Sequence, residues 1–134
     1  MKVVDTNIVV NLLIEGPCSE SARALFEIDR DWQSESLLMI ELVNVLATTI
    51  RKLKRPLAQA EATLFEAQRI MLPGLRSVSD RDALAAAAHF GVSGYDARFL
   101  VVARALGTPL ITEDTRLRHA APHLACSLAE ALAR

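Results

Sequence analysis

Two short apolar segments of this chain each lead to an aspartate, and this restricts the fold more than any other feature of the sequence. Lys2-Val3-Val4 runs directly into Asp5, and Leu110-Ile111-Thr112 is followed shortly by Asp114. Apolar and β-branched runs of this length are typical of buried strands. A charged carboxylate beside such a strand is costly to desolvate unless it is paired or bound to a metal ion. Both strands must therefore end where a carboxylate finds a partner.

Strands and helices alternate along the chain. Apolar runs predict strands at 2–5, 32–34, 75–78 and 109–112. Helical spacing of apolar residues predicts helices at 6–14, 19–29, 36–53, 57–71, 81–90, 95–106, 114–119 and 127–134, with Ser36 as the cap of the third helix. This alternation predicts an α/β fold with a mostly parallel sheet covered on both faces. No linker or repeat divides the sequence, so residues 1–134 are expected to form a single domain.

Two further acids stand where a helix has no need of a charge. Glu41 interrupts the apolar segment 37–43, and no basic residue lies three or four positions away from it. Asp96 opens another predicted helix. Because ligands of open α/β sheets bind beyond the carboxyl ends of the strands, Asp5 and Asp114 are expected at one rim. If the other two acids join them, the natural occupant is a hard divalent cation, which prefers oxygen ligands.

Three of these acids also have a purely structural interpretation. Asp5 and Asp114 can cap the helices that follow them, and Asp96 stands three residues after Ser93, which is the spacing of a capping box. Helix caps have no reason to converge, whereas a metal site requires convergence. The two roles can coexist, since a helix N-terminus that holds a carboxylate also orients it.

Composition and charge exclude several functional classes. A hydrophobic fraction of 51% argues against disorder, and a formal net charge of −1 argues against a chain that is a basic nucleic-acid binder as a whole. Contacts to phosphate must then be local, and the candidates are Arg51, Lys52, Lys54, Arg55, Arg98, Arg116 and Arg118. No run reaches the ~18 apolar residues of a membrane span. The two cysteines lack metal-type spacing, so a soluble cytoplasmic protein is expected.

Four segments together resemble the PIN-domain family and, more narrowly, VapC-type toxins of bacterial toxin–antitoxin pairs. They are Asp5-Thr6-Asn7, Glu41 with Asn44-Val45-Leu46, Tyr95-Asp96-Ala97, and Pro109 to Asp114. They follow the family's order and span nearly the whole chain. One departure is visible: family members often carry a proline ahead of the glutamate helix, where this chain has Ser34-Glu35-Ser36.

The resemblance implies a three-layer α/β/α fold and a metal-dependent endoribonuclease. It implies that Mg²⁺ or Mn²⁺ is held by four carboxylates, those of Asp5, Glu41, Asp96 and Asp114. When bound, the ion would activate a water molecule for attack on an RNA phosphodiester. Hydrogen bonds that support these acids are expected from Thr6, Asn7, Asn44 and Thr112. The resemblance further implies a homodimer and inhibition by a small DNA-binding antitoxin that covers the pocket.

Other interpretations of the same residues stay open. A non-catalytic PIN-like module would bind nucleic acid or a partner protein without cleavage. A HAD-type phosphotransferase also uses a strand-end aspartate, but it needs a second aspartate two positions on, where this chain has Asn7. A zinc site at His119 and His123 is disfavoured because Pro122 breaks the helix needed to align them.

Overall fold

A five-stranded parallel sheet forms the centre of the protein. The computed structural model describes residues 1–134. The strands are β1 (Lys2–Val4), β2 (Trp32–Glu35), β3 (Leu75–Arg76), β4 (Leu110–Ile111) and β5 (Ala125–Cys126). They lie in the order β3-β2-β1-β4-β5, and every neighbouring pair is parallel. The chain leaves β1 towards β2 on one side and later returns to β4 on the other, so β1 lies at the topological switch point.

Eight α-helices cover the two faces of the sheet and complete a three-layer α/β/α sandwich. They are α1 (Thr6–Leu13), α2 (Ser19–Ile28), α3 (Leu37–Leu53), α4 (Leu57–Met71), α5 (Asp80–Phe90), α6 (Gly94–Leu106), α7 (Thr115–Ala120) and α8 (Leu128–Leu132), with a 3₁₀ turn at Leu72–Gly74. Helix α1 packs on α2 and α3, and α5 packs on α6. None of the helices combines the length and apolar character that crossing a membrane would require.

The core explains why the strands can be so short. Val3 and Val4 of β1 are fully buried, as is Leu110 of β4, because helices cover both faces of the sheet. Trp32 of β2 is also buried, and its ring meets the edge of Phe26 at a centroid distance of 5.1 Å. These contacts hold the central strands in place. They therefore also fix the edge of the sheet formed by the carboxyl ends of the strands.

The structure confirms the α/β alternation and corrects two local predictions. Strand β5 was absent from the prediction, because two residues are too few to show strand periodicity. The assignment of Ser36 as the cap of α3 was wrong. Ser36 has φ −59° and ψ −21°, which is already helical, and its side chain makes no capping bond. The Glu35 carboxylate accepts the hydrogen bond of the Leu37 N–H instead, at 2.6 Å.

Candidate active site

The four acids singled out in the sequence line one open cavity. Its volume is about 560 Å³, and it lies beyond the carboxyl ends of β1 and β4. Besides the acids, its wall contains polar and apolar side chains in similar numbers: Thr6, Asn7, Val10, Asn11, Leu37, Ile40, Asn44, Val45 and Tyr95. All four acids therefore face one cavity, an arrangement that helix caps alone would not require.

Asp5 is the most buried of the four acids. The residue is only 6% exposed, and its carboxylate is surrounded by hydrogen-bond donors. One oxygen accepts from the Thr6 N–H at 2.7 Å, which makes Asp5 the N-cap of α1. The other accepts from the Thr112 hydroxyl at 2.7 Å and from the Asn7 amide at 3.2 Å. The structural and functional interpretations of Asp5 thus coexist in one side chain.

Thr112 and Asn7 form a network that connects β1, β4 and the start of α7. The Asn7 amide also donates to the Thr112 hydroxyl at 3.1 Å, while its carbonyl oxygen accepts from the Glu113 N–H at 3.1 Å. The Asp114 N–H donates to the Thr112 hydroxyl oxygen at 3.1 Å. Thr112 is fully buried, so the network is shielded from water. Thr112 and Asn7, two of the four residues predicted to hydrogen-bond the acids, therefore contact Asp5 directly.

Glu41 reaches the pocket from the second turn of α3. Its carboxylate accepts a hydrogen bond from the Thr6 hydroxyl at 2.5 Å. Thr6 is itself buried beside Asp5, so this contact brings a helix-borne acid to the end of the central strand. The partner that sequence reasoning required for a mid-helix acid is a hydroxyl of the neighbouring helix.

Asp96 and Asp114 complete the acidic wall from two different helix N-termini. Ser93 is the N-cap of α6 and accepts from the Asp96 N–H at 3.0 Å, which is one half of the predicted capping box; the reciprocal bond to the Asp96 carboxylate is not formed. Asp114 is the N-cap of α7 and accepts from the Arg116 and Leu117 N–H groups at 2.9 and 3.2 Å. Helix N-termini favour negative charge, which lowers the cost of gathering carboxylates here.

Electrostatics show that the acids share one environment. The pKa of Asp5 is raised to about 6, mainly by burial; the hydrogen bonds from Thr112 and Thr6 oppose the rise, and the charges of Glu41 and Asp96 add smaller contributions to it. Burial, followed by the charge of Asp114, raises the pKa of Asp96, and the Ser93 hydroxyl opposes this. Asp5 thus responds to the charges of Glu41 and Asp96, and Asp96 to that of Asp114, although these acids come from distant parts of the sequence.

The donor set fits a hard divalent cation in its chemistry. Carboxylate oxygens are the ligands that Mg²⁺ and Mn²⁺ prefer, and a cation would offset both the burial of these charges and their smaller mutual repulsion. The acids do not form a closed cage, because no three His, Cys, Asp or Glu side chains lie together as a ready ligand set. Mg²⁺ keeps several waters and takes only a few protein carboxylates, so an open wall of acids suits it better than a cage does.

The basic residues fall into two groups. Arg98 is occupied: its guanidinium donates to the Val78 carbonyl at 3.2 Å, forms an ion pair with Asp80 and lies 3.5 Å from Glu35. Arg118 donates to the Thr112 carbonyl at 2.7 Å. The exposed side chains are those of Arg116 near the pocket and of Arg51, Lys52 and Lys54 at the end of α3, with Arg55 partly buried after them.

Three residues near the acids went unassigned in the sequence reasoning. Tyr95 and Asn11 line the cavity, and Tyr95 is 67% exposed. Glu35 lies outside the cavity but is only 1% exposed. Like Asp5, Glu35 is an acid at the end of a predicted strand. That feature could have identified it from the sequence, but the segment Ser34-Glu35-Ser36 was interpreted only as a departure from the family pattern.

The chain belongs to the PIN domain family, whose profile matches residues 2–122. Two crystal structures share its fold. PAE2754 from Pyrobaculum aerophilum is 21% identical with a TM-score of 0.76, and the match covers 99% of this chain and 90% of that one. FitAcB from Neisseria gonorrhoeae is 16% identical with a TM-score of 0.67, covering 95% and 96%. No curated protein shows a significant match to the chain.

Proposed function

We propose that this protein is a metal-dependent endoribonuclease of the VapC type, held inactive by a cognate antitoxin. PIN-family membership gives the general class, and the motifs that resemble VapC-type toxins give the substrate. The observation that carries the proposal is the shared cavity of Asp5, Glu41, Asp96 and Asp114, in which burial and the neighbouring acids raise the pKa of Asp5 to about 6. Isolated caps would not perturb one another in this way.

In this proposal the four carboxylates hold Mg²⁺ or Mn²⁺. When bound, the ion supplies a Lewis acid for the phosphoryl oxygens and lowers the pKa of an attacking water molecule. The chain's own contribution is orientation. Thr112 and Asn7 hold one oxygen of Asp5, the Thr6 N–H holds the other, and the Thr6 hydroxyl holds Glu41.

The remaining wall of the cavity supports a single-stranded substrate. Tyr95 provides an exposed ring beside Asp96, which suits stacking on a base next to the scissile phosphate. Asn11 and Asn44 line the same cavity with amide groups that can bond base edges. Arg116 and the basic residues at the end of α3 are assigned to backbone phosphates, whereas Arg98 and Arg118 are assigned to folding contacts.

An antitoxin fits the surface next to the pocket. Ile40 is 69% exposed and Val43 is 51% exposed, both on the helix that carries Glu41. A shallow groove of about 150 Å³ between α3 and α4 continues this apolar face. An apolar strip beside an acidic cavity complements a partner segment with apolar and basic side chains.

The proposal also includes a homodimer. Light scattering of the purified protein tests whether it forms.

The decisive experiment is an RNA cleavage assay with Mg²⁺, Mn²⁺ or EDTA. Wild-type protein is expected to cut single-stranded RNA only with a divalent ion, and Asp96→Asn is expected to be inactive while remaining folded. The matched control is Asp80→Asn, an aspartate at the start of α5 that lies outside the acidic cavity. Cleavage in EDTA, or by Asp96→Asn at the wild-type rate, would refute the proposal. Binding of RNA and Mn²⁺ without cleavage would identify a non-catalytic module instead.

A further inference from the structure

Glu35 is a buried carboxylate that the site described above does not use. It ends β2, and continuing the register in which Val3 pairs with Gln33 places it beside Asp5 of the neighbouring strand segment. It does not line the acidic cavity. A buried carboxylate is costly unless it is paired and hydrogen-bonded, so its contacts explain its presence.

One oxygen of Glu35 holds the beginning of α3. It accepts from the Leu37 N–H at 2.6 Å, and Leu37 is the first residue of that helix. Glu41 lies one turn further on, and residues four apart share a helix face. The carboxylate therefore fixes the end of α3 from which Glu41 projects.

The other oxygen of Glu35 contacts the segment between β3 and α5 and, through Arg98, the first turns of α6. It accepts from the Val78 N–H at 3.4 Å and lies 3.5 Å from the Arg98 guanidinium. Arg98 also donates to the Val78 carbonyl at 3.2 Å. Arg98 lies two residues after Asp96 in the first turns of α6, so this pair fixes the end of α6 that carries Asp96.

The geometry points to Glu35 as a positioning residue that sets the separation of Glu41 and Asp96. Helices α3 and α6 do not pack extensively against each other, so the Glu35 carboxylate with Arg98 is the direct polar link between their N-terminal ends. A buried ion pair contributes little net stability compared with an apolar contact, which favours placement as its role. The inference rests on the proposed function in one respect: the separation of Glu41 and Asp96 matters because the two acids are proposed to bind a divalent ion.

The test replaces Glu35 and follows metal binding and structure rather than activity alone. Wild type, Glu35→Gln and Glu35→Ala are titrated with Mn²⁺ by calorimetry, and their crystal structures are compared. Loss of a residue that orients ligands typically weakens metal binding by about 10- to 100-fold. Glu35→Ala is expected to show such a loss, and Glu35→Gln, which keeps one acceptor for the Leu37 N–H, a smaller one. The Cα separation of Glu41 and Asp96 is expected to change by about 1 Å in Glu35→Ala, enough to impair a catalytic site.

Two controls separate positioning from general stability. Asp80→Asn removes the exposed partner of Arg98 but leaves Glu35 in place, and Ser127→Ala removes the cap of α8, which is not part of the cavity. Both are expected to bind Mn²⁺ as wild type does. If Glu35→Ala does not fold, Arg98→Lys provides the same test, since lysine lacks the planar guanidinium that reaches both Glu35 and the Val78 carbonyl.

The outcomes distinguish this inference from the proposed function. Unchanged Mn²⁺ affinity together with an unchanged separation of Glu41 and Asp96 in Glu35→Ala would overturn the positioning role. If wild type itself binds no Mn²⁺, the proposed function fails, and the separation measured in the variant still decides the positioning role. A changed separation with weakened Mn²⁺ binding supports both.

Discussion

The two sides of the acidic cavity are built differently. The strand side, which consists of Asp5, Asn7, Thr112 and Asp114, is a continuous hydrogen-bond network between two adjacent strands. The helix side consists of Glu41 and Asp96, each of which has one neighbouring hydroxyl, from Thr6 and Ser93. The strand side is fixed by its own bonds, whereas the helix side depends on where α3 and α6 begin.

This difference separates two requirements of a metal site. Acids that are rigidly held beforehand lower the cost of organising the site, and acids with fewer partners can adjust to the ion. The comparison therefore predicts that substitutions on the strand side alter both stability and activity, while those on the helix side alter activity alone.

The largest expected effect is the loss of cleavage on the helix side. Asp96→Asn removes a charge that burial and Asp114 already disfavour, so the fold should tolerate it. We expect roughly a 10³-fold loss of kcat, which corresponds to ~4 kcal/mol of transition-state stabilisation, with a melting temperature no lower than that of the wild type. Single-turnover cleavage and calorimetry of the same preparation measure the two quantities. If Asp96→Asn loses activity because it unfolds, the predicted difference in stability between helix-side and strand-side substitutions would be contradicted.

On the strand side, Asp5→Asn is expected to stabilise the protein while it inactivates it. Asp5 has a folded pKa of about 6 against an ordinary value of 3.8, so the native state binds its proton more tightly than the unfolded state does. Wild-type stability should then fall as pH rises from about 4 to about 6, by on the order of 3 kcal/mol. Asp5→Asn has no carboxyl group to titrate at this position. The difference in free energy of unfolding between Asp5→Asn and wild type should therefore grow from about pH 4 to about pH 6 and then level off.

Urea unfolding in EDTA at several pH values measures the effect in both proteins. The control is Asp80→Asn, because Asp80 is exposed and lies outside the acidic cavity, so its replacement should change stability little. Equal pH dependence of wild type and Asp5→Asn would show that the burial of Asp5 does not oppose its charge.

Thr112→Val should give an intermediate result on the strand side. The substitution keeps the shape of the side chain but removes the donor to Asp5 and the acceptor for Asp114 and Asn7. Buried groups left without partners cost about 1–3 kcal/mol, and the loss of an orienting hydrogen bond costs about 10- to 100-fold in metal affinity. Thr108→Val, at a half-buried hydroxyl outside the cavity, is the control. If Thr112→Val and Thr108→Val change stability and metal affinity equally, the hydrogen-bond network of Thr112 does not support the acidic site.

The smallest effect is expected outside both sides, in the basic residues at the end of α3. Lys52→Ala should weaken RNA binding slightly and lower the slope of log K against log salt by about 0.7 if the side chain meets one phosphate of a single strand. Salt-dependent binding to a short RNA measures the slope. Lys2→Ala, on the half-buried first strand residue, should leave it unchanged.

The sequence predicts the strand side better than the helix side, for a physical reason. Asp5 and Asp114 are placed by adjacent parallel strands, so the strand pattern alone puts them at one rim. The positions of Glu41 and Asp96 depend on how helices pack, which side-chain periodicity does not encode. Glu35 and Arg98 show this: the sequence suggests a free basic residue and a departure from a family pattern, and the structure joins them across 63 positions.

Strand β5 and the Ser36 assignment show the same limit on a local scale. Two residues cannot display an alternating pattern, and β5 exists because Leu110 and Ile111 of β4 offer an open edge to Ala125 and Cys126. Ser36 has the chemistry of a cap, but Glu35 reaches the same N–H from a buried position. The local sequence favours Ser36 as the cap, but the tertiary structure places the Glu35 carboxylate there instead.

The central claim is that carboxylates from both sides share one divalent cation, and a thermal titration tests it most directly. Melting temperatures of wild type, Asp5→Asn, Glu41→Gln, Asp96→Asn and Asp114→Asn are measured over a range of Mn²⁺ concentrations. An ion that binds only the folded state adds about 2.7 kcal/mol at 100 times its Kd, so the wild-type melting temperature should rise with Mn²⁺, and removal of an acid from either side should abolish or sharply reduce the rise. An undiminished rise in Glu41→Gln and Asp96→Asn would contradict the claim.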